Sequence, residues 1–300
     1  MKQLPLVKRI LEARRNHRRA RIVRTLEQHG SLLDGLDERA KKSWGSRIQL
    51  VLEAADNGRI RHVPGAGTFN ERNDLIMHNG LLIDIESYYG LPMLEMLFKN
   101  KGVHEPQEEY VFQEVLRHVP DNGVMIELGA YWSFYSMWFN QQVAHARNYM
   151  IEPVDVGSGM TNFSLNNMQG DFTKAFISSC AEHVEDASGT PTLCVDGFVQ
   201  DKRIAFIDIL HADIQGHELR MLHGAADTLA NRKVGYVFIS THSQDLHAAC
   251  MEYLRSHGYL LVCSCDMDES YSVDGLLVFK DPAYPGPETI AVSKRAVKRP

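Results

Sequence analysis

The 300-residue chain lacks the features that mark secreted, membrane-spanning or repeat proteins. No apolar run approaches the roughly 18 residues of a membrane span, so we expect no membrane-spanning helix. The first residues have no sustained apolar segment, so we do not expect a secretory signal. No internal repeat or low-complexity tract is present. What remains is a chain with 44% hydrophobic residues, which can bury a sizeable core.

Cysteine is scarce and shows no ligand spacing. The five cysteines are odd in number and form no C-x-x-C pair; they are Cys180, Cys194, Cys250, Cys263 and Cys265. A reduced cytoplasm fits this usage. Cys263 and Cys265 alternate along a predicted strand, which favours ordinary half-buried thiols over a metal site. The run containing Asp266, Asp268 and Glu269 could bind a divalent cation, but a solvated loop is the favoured interpretation.

Positive charge is outnumbered by negative charge after the first 30 residues. The formal net charge is −6, yet residues 1–30 carry nine Lys or Arg against two Glu, so the remainder is distinctly acidic. This asymmetry argues against a nucleic-acid partner. The basic segment could contact an acidic surface, a leader peptide or a membrane face. Because its apolar stripe breaks at residues 14–19, a solvated helix is favoured.

The segment VMIELGAYWSFYS, residues 124–136, predicts a strand that ends in a nucleotide-cofactor turn. Glu127 stands near the strand end, and Gly129 lets the backbone turn tightly. A dinucleotide site would need G-x-G-x-x-G, but Ala130 and Tyr131 follow Gly129, so a pyrophosphate site is not expected. A carboxylate here suits a cofactor with an amino group, such as S-adenosylmethionine. The alternative is a buried strand ended by an ordinary glycine turn.

A second acid follows a second predicted strand. Residues 148–151 form a short apolar run that stops at Glu152. An acid about 20 to 25 residues beyond the first turn is positioned to accept both hydroxyls of a ribose. The alternative for Glu152 is a solvated residue before a proline that starts a helix.

Two further strand ends carry polar residues. AFIDIL, residues 205–210, leads to Asp213 and then to a helical pattern through residue 229, and residues 234–240 predict a strand that ends at His242. Asp213 and His242 should therefore lie on adjacent strand ends of one parallel sheet. His242 would be the base for an alcohol acceptor, with Asp213 orienting it or binding the acceptor; alternatively both would bind a metal such as Mg²⁺. Either residue could also be structural.

These segments, together with TLCVDGF and IDILHADIQGHELRMLHGA, resemble the FkbM family of S-adenosylmethionine-dependent methyltransferases over roughly residues 105–279. The resemblance implies a Rossmann-like class I fold, with a seven-stranded, mostly parallel sheet and an antiparallel edge. It also implies O-methylation of a hydroxyl on a sugar or natural product, or, in related members, N-methylation of peptide side-chain amides. The acceptor would thus be a small molecule or a peptide.

The resemblance also assigns cofactor residues. Glu127 and Gly129 would hold the methionine end and Glu152 the ribose, while Ala130, Tyr131 and Asp213 would also bind the cofactor. Ser179 and Cys180, which follow a strand predicted at FTKAFIS, residues 172–178, would lie near the adenine. Three positions depart from the family pattern, namely Tyr131, Ser133 and His211. The aromatic residues Tyr131, Trp132 and Tyr135 would stack on an acceptor or fill the core, and core is favoured for Trp132 and Tyr135.

The chain is predicted to divide near residue 105. Residues 1–104 would form an extension with a basic helix, a small β-hairpin unit and a cap helix, which shapes the acceptor pocket or a homodimer contact. Residues 105–300 would form the methyltransferase domain. Two other classes stay open: an oxidoreductase that binds NAD or a sugar nucleotide, and a non-catalytic binding module on the same sheet.

Overall fold

The computed structural model describes residues 6–180 and 189–296 of the chain. Residues 1–5 of the predicted basic segment lie outside the described residues. The helices are α1 (Leu6–His29), α2 (Glu38–Glu53), α3 (Leu91–Lys99), α4 (Pro106–Leu116), α5 (Phe134–Gln142), α6 (Val156–Leu165), α7 (Val195–Asp201), α8 (Glu218–His223), α9 (Ala226–Ala230) and α10 (Gln244–Ser256). The strands are β1 (Leu75–Ile76), β2 (Leu82–Ile83), β3 (Val124–Leu128), β4 (Arg147–Ile151), β5 (Asp171–Thr173), β6 (Phe176–Ile177), β7 (Thr192–Leu193), β8 (Ile207–Ala212), β9 (Val234–Thr241), β10 (Leu260–Cys265) and β11 (Gly275–Lys280).

The centre of the fold is a seven-stranded sheet with the order β10-β11-β9-β8-β3-β4-β5. Strands β9, β8, β3, β4 and β5 run parallel, whereas β11 pairs antiparallel with both β9 and β10. Every residue of β3, β8, β9 and β11 is buried. Helices cover both faces of such a sheet, which explains the continuous apolar runs of these strands. The predicted α/β methyltransferase sheet with an antiparallel edge is confirmed.

Two predicted elements are broken in the structure. The segment FTKAFIS, predicted as one strand, forms β5 and β6, and only β5 joins the main sheet, since β6 pairs with β7. The single helix predicted after Asp213 forms α8 and α9, which are separated at Gly224 and Ala225. The backbone N–H of Gly224 caps the first of these helices, and a Cβ there would lie 2.3 Å from the carbonyl oxygen of Ser178. This close approach explains why the residue at the interruption is a glycine.

The sequence predicted a solvated helix for the basic segment. In the structure, helix α1 is not simply solvated. It pairs with acidic residues of the hairpin unit that contains β1 and β2. Arg19 is only 4% exposed and its guanidinium contacts the carboxylates of Asp74 and Asp84. The more exposed Arg15 binds Asp84 and Glu86. Part of the positive charge at the start of the chain is therefore neutralised by its own hairpin.

The extension and the predicted catalytic domain share one hydrophobic core. The cluster on one side of the sheet includes Leu26, Leu75 and Leu94 from the extension, and it continues through Phe112 to Phe238 on β9. The second cluster lies on the other side and packs helices α7 to α10 against the sheet. The boundary near residue 105 stays a prediction, and the shared core shows that the extension is not attached as an independent unit.

The cysteines differ from the expectation of a fully reduced set. Cys180 and Cys194 form a disulfide, while Cys250, Cys263 and Cys265 are free and buried. The bond joins the segment after β6 to the first residue before α7, two positions that are distant in sequence but adjacent because β6 and β7 pair. Within the described ranges, no helix is both long enough and apolar enough to cross a membrane.

Candidate active site

A large pocket opens at the carboxyl ends of β3, β4 and β8, where ligands bind in parallel α/β sheets. Its volume is about 590 Å³, within the range of small-molecule sites. Its walls are mostly apolar and aromatic, and the polar side chains that line it include Glu105, Glu127, Glu152, Asp213, His104, His211, Ser178 and Arg220.

Glu127 is a buried carboxylate at one end of this pocket. It occupies the fourth position of β3, opposite Met150 of β4 and His211 of β8. Its Oε2 accepts a hydrogen bond of 3.0 Å from the backbone N–H of Ser136 in the first turn of α5. Burial raises the pKa of Glu127 to about 7. A cation placed against this carboxylate would offset the cost of ionising it.

Gly129 makes the turn after β3, with φ at 74°. A Cβ at this position would lie 1.8 Å from the carbonyl oxygen of Asp213, so no other residue can be accommodated without moving the end of β8. The glycine is therefore required by the contact between two strand ends as well as by the turn. Tyr131 and Ser133 continue the turn, also with positive φ, at 36° and 60°.

Glu152 follows β4 and is only 7% exposed. Its Oε2 accepts a hydrogen bond from the backbone N–H of Tyr131 at 3.2 Å, and its Oε1 accepts from that of Val154 at 2.8 Å. The side chain thus joins the first turn to the second. Its Oε1 also accepts from the backbone N–H of Asp155 at 3.3 Å. A carboxylate can accept about four hydrogen bonds, so capacity for about one more remains for a ligand's hydroxyl.

The part of the pocket wall predicted to contact the adenine differs from the sequence prediction. Ile177, Ser178 and Thr192 line the pocket there, whereas Ser179 and Cys180 do not. The Cys180 sulfur is used in the disulfide with Cys194. Ser179 and Cys180 therefore lie beside the predicted adenine wall instead of forming it. Ala130 and Tyr131 do line the pocket.

Asp213 and His242 come together, as predicted from the adjacent strands β8 and β9. His242 Nε2 lies 3.3 Å from Asp213 Oδ1 and 3.3 Å from Asp274 Oδ1. His242 Nδ1 lies 2.8 Å from Oε1 of the fully buried Glu218. Burial favours the neutral imidazole, but the hydrogen bonds with Asp213 and Glu218 outweigh it and raise the pKa of His242 to about 10.

This geometry changes the expected roles of the pair. Asp213 lines the pocket, whereas His242 is not among its lining residues and stands behind Asp213. Because three carboxylates hold its ring, His242 is protonated at neutral pH in the ligand-free protein. Glu218 and Asp274 were not recognised from the sequence. Glu218 begins α8 in the specific HADIQGHELR segment, which was the one available signal.

A buried network of histidine and glutamate side chains was also not predicted from the sequence. His104 contacts Glu105 at 3.1 Å and Glu109 at 2.6 Å, and His211 contacts Glu108 at 2.7 Å. Although burial opposes it, these carboxylates raise the pKa of His104 to about 10. The available signal was the acidic EPQEE start of α4, whose residues 105, 108 and 109 share one helix face.

Aromatic side chains form the pocket mouth. Tyr88 stacks on Trp132 with ring centroids 3.9 Å apart, and Tyr89 packs against Tyr131 at 4.7 Å. Trp132 and Tyr135 are buried, as predicted, yet both also line the pocket, and the Tyr135 hydroxyl donates to Glu105 at 3.0 Å. The extension contributes Tyr88 and Tyr89 to this wall.

A metal site is not indicated by the geometry. Among residues 6–180 and 189–296, no group of three or more His, Cys, Asp or Glu side chains could hold a metal ion. In the acidic loop after β10, Asp266 Oδ1 accepts backbone N–H groups of its own loop and Glu269 binds Lys294. The favoured interpretation of that run as an ordinary loop agrees with these contacts.

The sheet order and the strand-end carboxylates define a protein of the Rossmann-like methyltransferase class. The chain belongs to the family described as "Methyltransferase FkbM domain", whose model matches residues 99–261. The match begins in the last residues of α3 and ends within β10, so it contains the whole pocket wall formed by β3, β4 and β8.

The chain also resembles individual proteins. A protein of Jannaschia sp. (strain CCS1) named "Putative methyltransferase" is 34% identical over 88 residues, which are 27% of this chain and 31% of that protein. The chain thus spans about a third of the length of the curated relative it matches. A precorrin-6y C5,15-methyltransferase from Geobacter metallireducens GS-15 is 14% identical, with 58% of this chain and 87% of that chain covered and a TM-score of 0.40. TrmK of M. capricolum, solved with S-adenosyl-homocysteine, is 14% identical over 58% and 69% of the two chains, with a TM-score of 0.40. Likeness at these scores carries no argument about function.

Proposed function

We propose that this protein transfers a methyl group from S-adenosylmethionine to a hydroxyl of a small-molecule acceptor, such as a sugar or another natural product. Membership of the FkbM domain family supports the reaction class. The observation that carries the proposal is the set of carboxylates at three strand ends around one pocket, namely Glu127, Glu152 and Asp213.

The residues present fit this cofactor. Glu127 would pair with the ammonium of the methionine end, because it is a buried carboxylate whose pKa is raised to about 7. The turn from Gly129 to Tyr131 would surround that end. Glu152 would accept the ribose hydroxyls, and the wall with Ile177 and Ser178 would cover the adenine. When bound, the cofactor supplies a methyl group that its sulfonium already activates.

The protein must then align the acceptor and receive its proton. Asp213 is the group of the proposed catalytic pair that lines the pocket, and we assign it contact with the acceptor hydroxyl. His242, held by Glu218 and Asp274, would fix the position of Asp213 and carry the charge that balances it. The acceptor's proton would be taken up at Asp213 Oδ1 as the acceptor's O–H bond breaks, and Asp213 would return it to water before the next turnover.

Metal assistance by Mg²⁺ at Asp213 and His242 is the competing version. A protonated His242 cannot ligate a metal, so binding would require loss of its proton. N-methylation of a peptide amide is the competing acceptor chemistry. The position of the methyl group on the product distinguishes N-methylation from the main proposal. The response of turnover to chelator distinguishes the metal version.

Location and assembly are also proposals. We keep the cytoplasm as the predicted location, with a possible homodimer and no nucleic-acid partner. A Cys180–Cys194 disulfide is more typical of an oxidising compartment. Alkylation of thiols in freshly lysed cells, followed by mass spectrometry, would measure how much of this pair is oxidised where the protein works.

The proposal is tested in two stages. Calorimetry of the full chain with S-adenosylmethionine and S-adenosylhomocysteine tests cofactor binding, and absence of binding would refute the function. A screen of sugar, polyketide and peptide acceptors with labelled cofactor follows, with Mg²⁺ or with chelator. Label found on an oxygen, with turnover indifferent to chelator, is the expected result; label on an amide nitrogen would select the peptide alternative.

A further inference from the structure

Two tyrosines with unusual backbone conformations face each other at the pocket mouth. Tyr89 has φ at 29° and Tyr131 has φ at 36°, a region that bulky residues rarely adopt. Strained positions of this kind persist where the surrounding structure enforces them, and they cluster at ligand clamps. The two ring centroids are 4.7 Å apart and both residues line the pocket. We call Tyr89 and Tyr131 the tyrosine clamp.

The clamp lies over the place where the proposed cofactor and acceptor sites meet. Burial and the charge of Asp213 are the leading causes that raise the pKa of Tyr89 to about 12, and Glu152 adds to them. Tyr89 lines the same pocket as Asp213, the residue assigned to the acceptor, and Glu152, the residue assigned to the ribose. The side chain as a whole is 59% exposed, which leaves ring surface available to a ligand entering the mouth.

The wall below the clamp has more carboxylates than cations. Among the described residues that line the pocket, Arg220 is the only Lys or Arg, and it already interacts with another group. Of the lining histidines His104, His211 and His217, the first two are paired with carboxylates of α4. The protonated His242 behind Asp213 is a further cation. The carboxylates that line or back the pocket are Glu105, Glu108, Glu109, Glu127, Glu152, Asp213, Glu218 and Asp274.

Asp274 has a carboxyl group whose ionised form is disfavoured in this wall. Burial is the leading cause that raises its pKa to about 7, and Glu105 and Asp213 add to it, although His242 and Arg47 act in the opposite direction. Glu127 is in the same condition, but the proposed ammonium of the cofactor would stabilise it. The part of the pocket between Asp213 and the clamp, where the acceptor would bind, would not be stabilised by the ammonium of the cofactor's methionine end.

We propose that the tyrosine clamp and Asp213 bind an ammonium group of the acceptor, so that the preferred acceptors are amino alcohols or amino sugars. The inference rests on the proposed methyl transfer. Tyrosine faces attract a cation within about 6 Å of the ring centroid, and neighbouring carboxylates strengthen such a site. Phosphate-bearing acceptors are disfavoured because they would add negative charge to this wall.

The test uses choline and its uncharged isostere 3,3-dimethyl-1-butanol as probes. Full-length protein is saturated with S-adenosylhomocysteine, which lacks the sulfonium charge, and each probe is titrated while binding is followed by NMR. Choline is expected to bind at least about fivefold more tightly than the isostere. Equal affinities, or no binding of choline at millimolar concentrations, would overturn the proposal.

Variants assign the preference to the clamp. Tyr89→Leu should reduce the choline preference to within about twofold, whereas the matched control Tyr89→Phe, which keeps the aromatic face, should retain most of it. A preference unchanged in Tyr89→Leu would place the cation elsewhere and reject the clamp.

Titrations with the two cofactor forms distinguish failure of the proposed methyl transfer from failure of the ammonium proposal. If wild-type protein does not bind S-adenosylhomocysteine, the proposed function itself fails. If Tyr89→Leu weakens binding of S-adenosylmethionine but not of S-adenosylhomocysteine, the clamp recognises the cofactor's sulfonium, and the ammonium proposal is wrong while methyl transfer stands.

Discussion

The affinity for S-adenosylhomocysteine should depend on pH through Glu127. This carboxylate is buried, and its pKa lies at about 7 in the ligand-free protein. Only the ionised form can pair with the ammonium of the ligand. At pH 6 about one molecule in ten has Glu127 ionised, and at pH 8 about nine in ten, so affinity should rise about tenfold, or about 1.4 kcal/mol, between these values.

The variant Glu127→Gln should remove this pH dependence. It keeps the shape of the side chain but loses the charge, so at pH 8 binding should weaken by about 1.5 to 3 kcal/mol, as for a charge-assisted hydrogen bond. At pH 6 the difference from wild type should become much smaller. Calorimetry at both pH values, in buffers of equal ionic strength, measures the effect.

The same carboxylate should cost stability when no ligand is bound. Its folded pKa of about 7 lies above the ordinary value of 4.5, so the folded state binds the proton more tightly. The free energy of unfolding should therefore fall as pH rises from 4.5 to 7, by at most about 3 kcal/mol. Glu127→Gln should remove that loss, which denaturant unfolding of the ligand-free protein would detect.

Asp274 supplies the control, because its pKa is also raised to about 7. Asp274→Asn should leave the pH dependence of S-adenosylhomocysteine binding in place. The reasoning is refuted if wild-type affinity is flat between pH 6 and 8, if Glu127→Gln retains the pH dependence, or if Asp274→Asn abolishes it.

Three further predictions follow from contacts in and around the site. Glu152→Ala should weaken S-adenosylhomocysteine binding by about 1.5 to 3 kcal/mol in calorimetry, and unchanged affinity would contradict the ribose assignment. Asp213→Ala should lower turnover by a factor of about 10² to 10⁴ with nearly intact cofactor affinity, and His242→Ala should do the same if it positions Asp213; full turnover of the double variant would move the active site elsewhere. Arg19→Ala should lower the free energy of unfolding by about 3 to 5 kcal/mol, because the buried Asp74 would lose its ion-pair partner and Asp84 would keep only the more exposed Arg15. The exposed Arg15→Ala is its control and should cost about 1 kcal/mol or less in the same denaturation assay.

The sequence by itself determined the sheet and the positions of its ends. Short runs rich in apolar residues, bounded by turn or charged residues, predicted β3, β4, β8 and β9 together with the acids at or after their ends. Because parallel strands end at one edge, Glu127, Glu152 and Asp213 could be expected around one pocket without knowledge of any contact.

Tertiary structure alone decided which of these groups face the pocket and which are charged. His242 was predicted as a base because a lone histidine has its ordinary pKa. Besides the predicted neighbour Asp213, the carboxylates that raise this pKa come from α8 and from the loop before β11. The disulfide and the tyrosine clamp depend in the same way on residues far apart in the chain. Local periodicity determines which backbone segments form strands. The burial and charge of a side chain depend instead on neighbours from other elements, and the sequence alone does not give the distances to those neighbours.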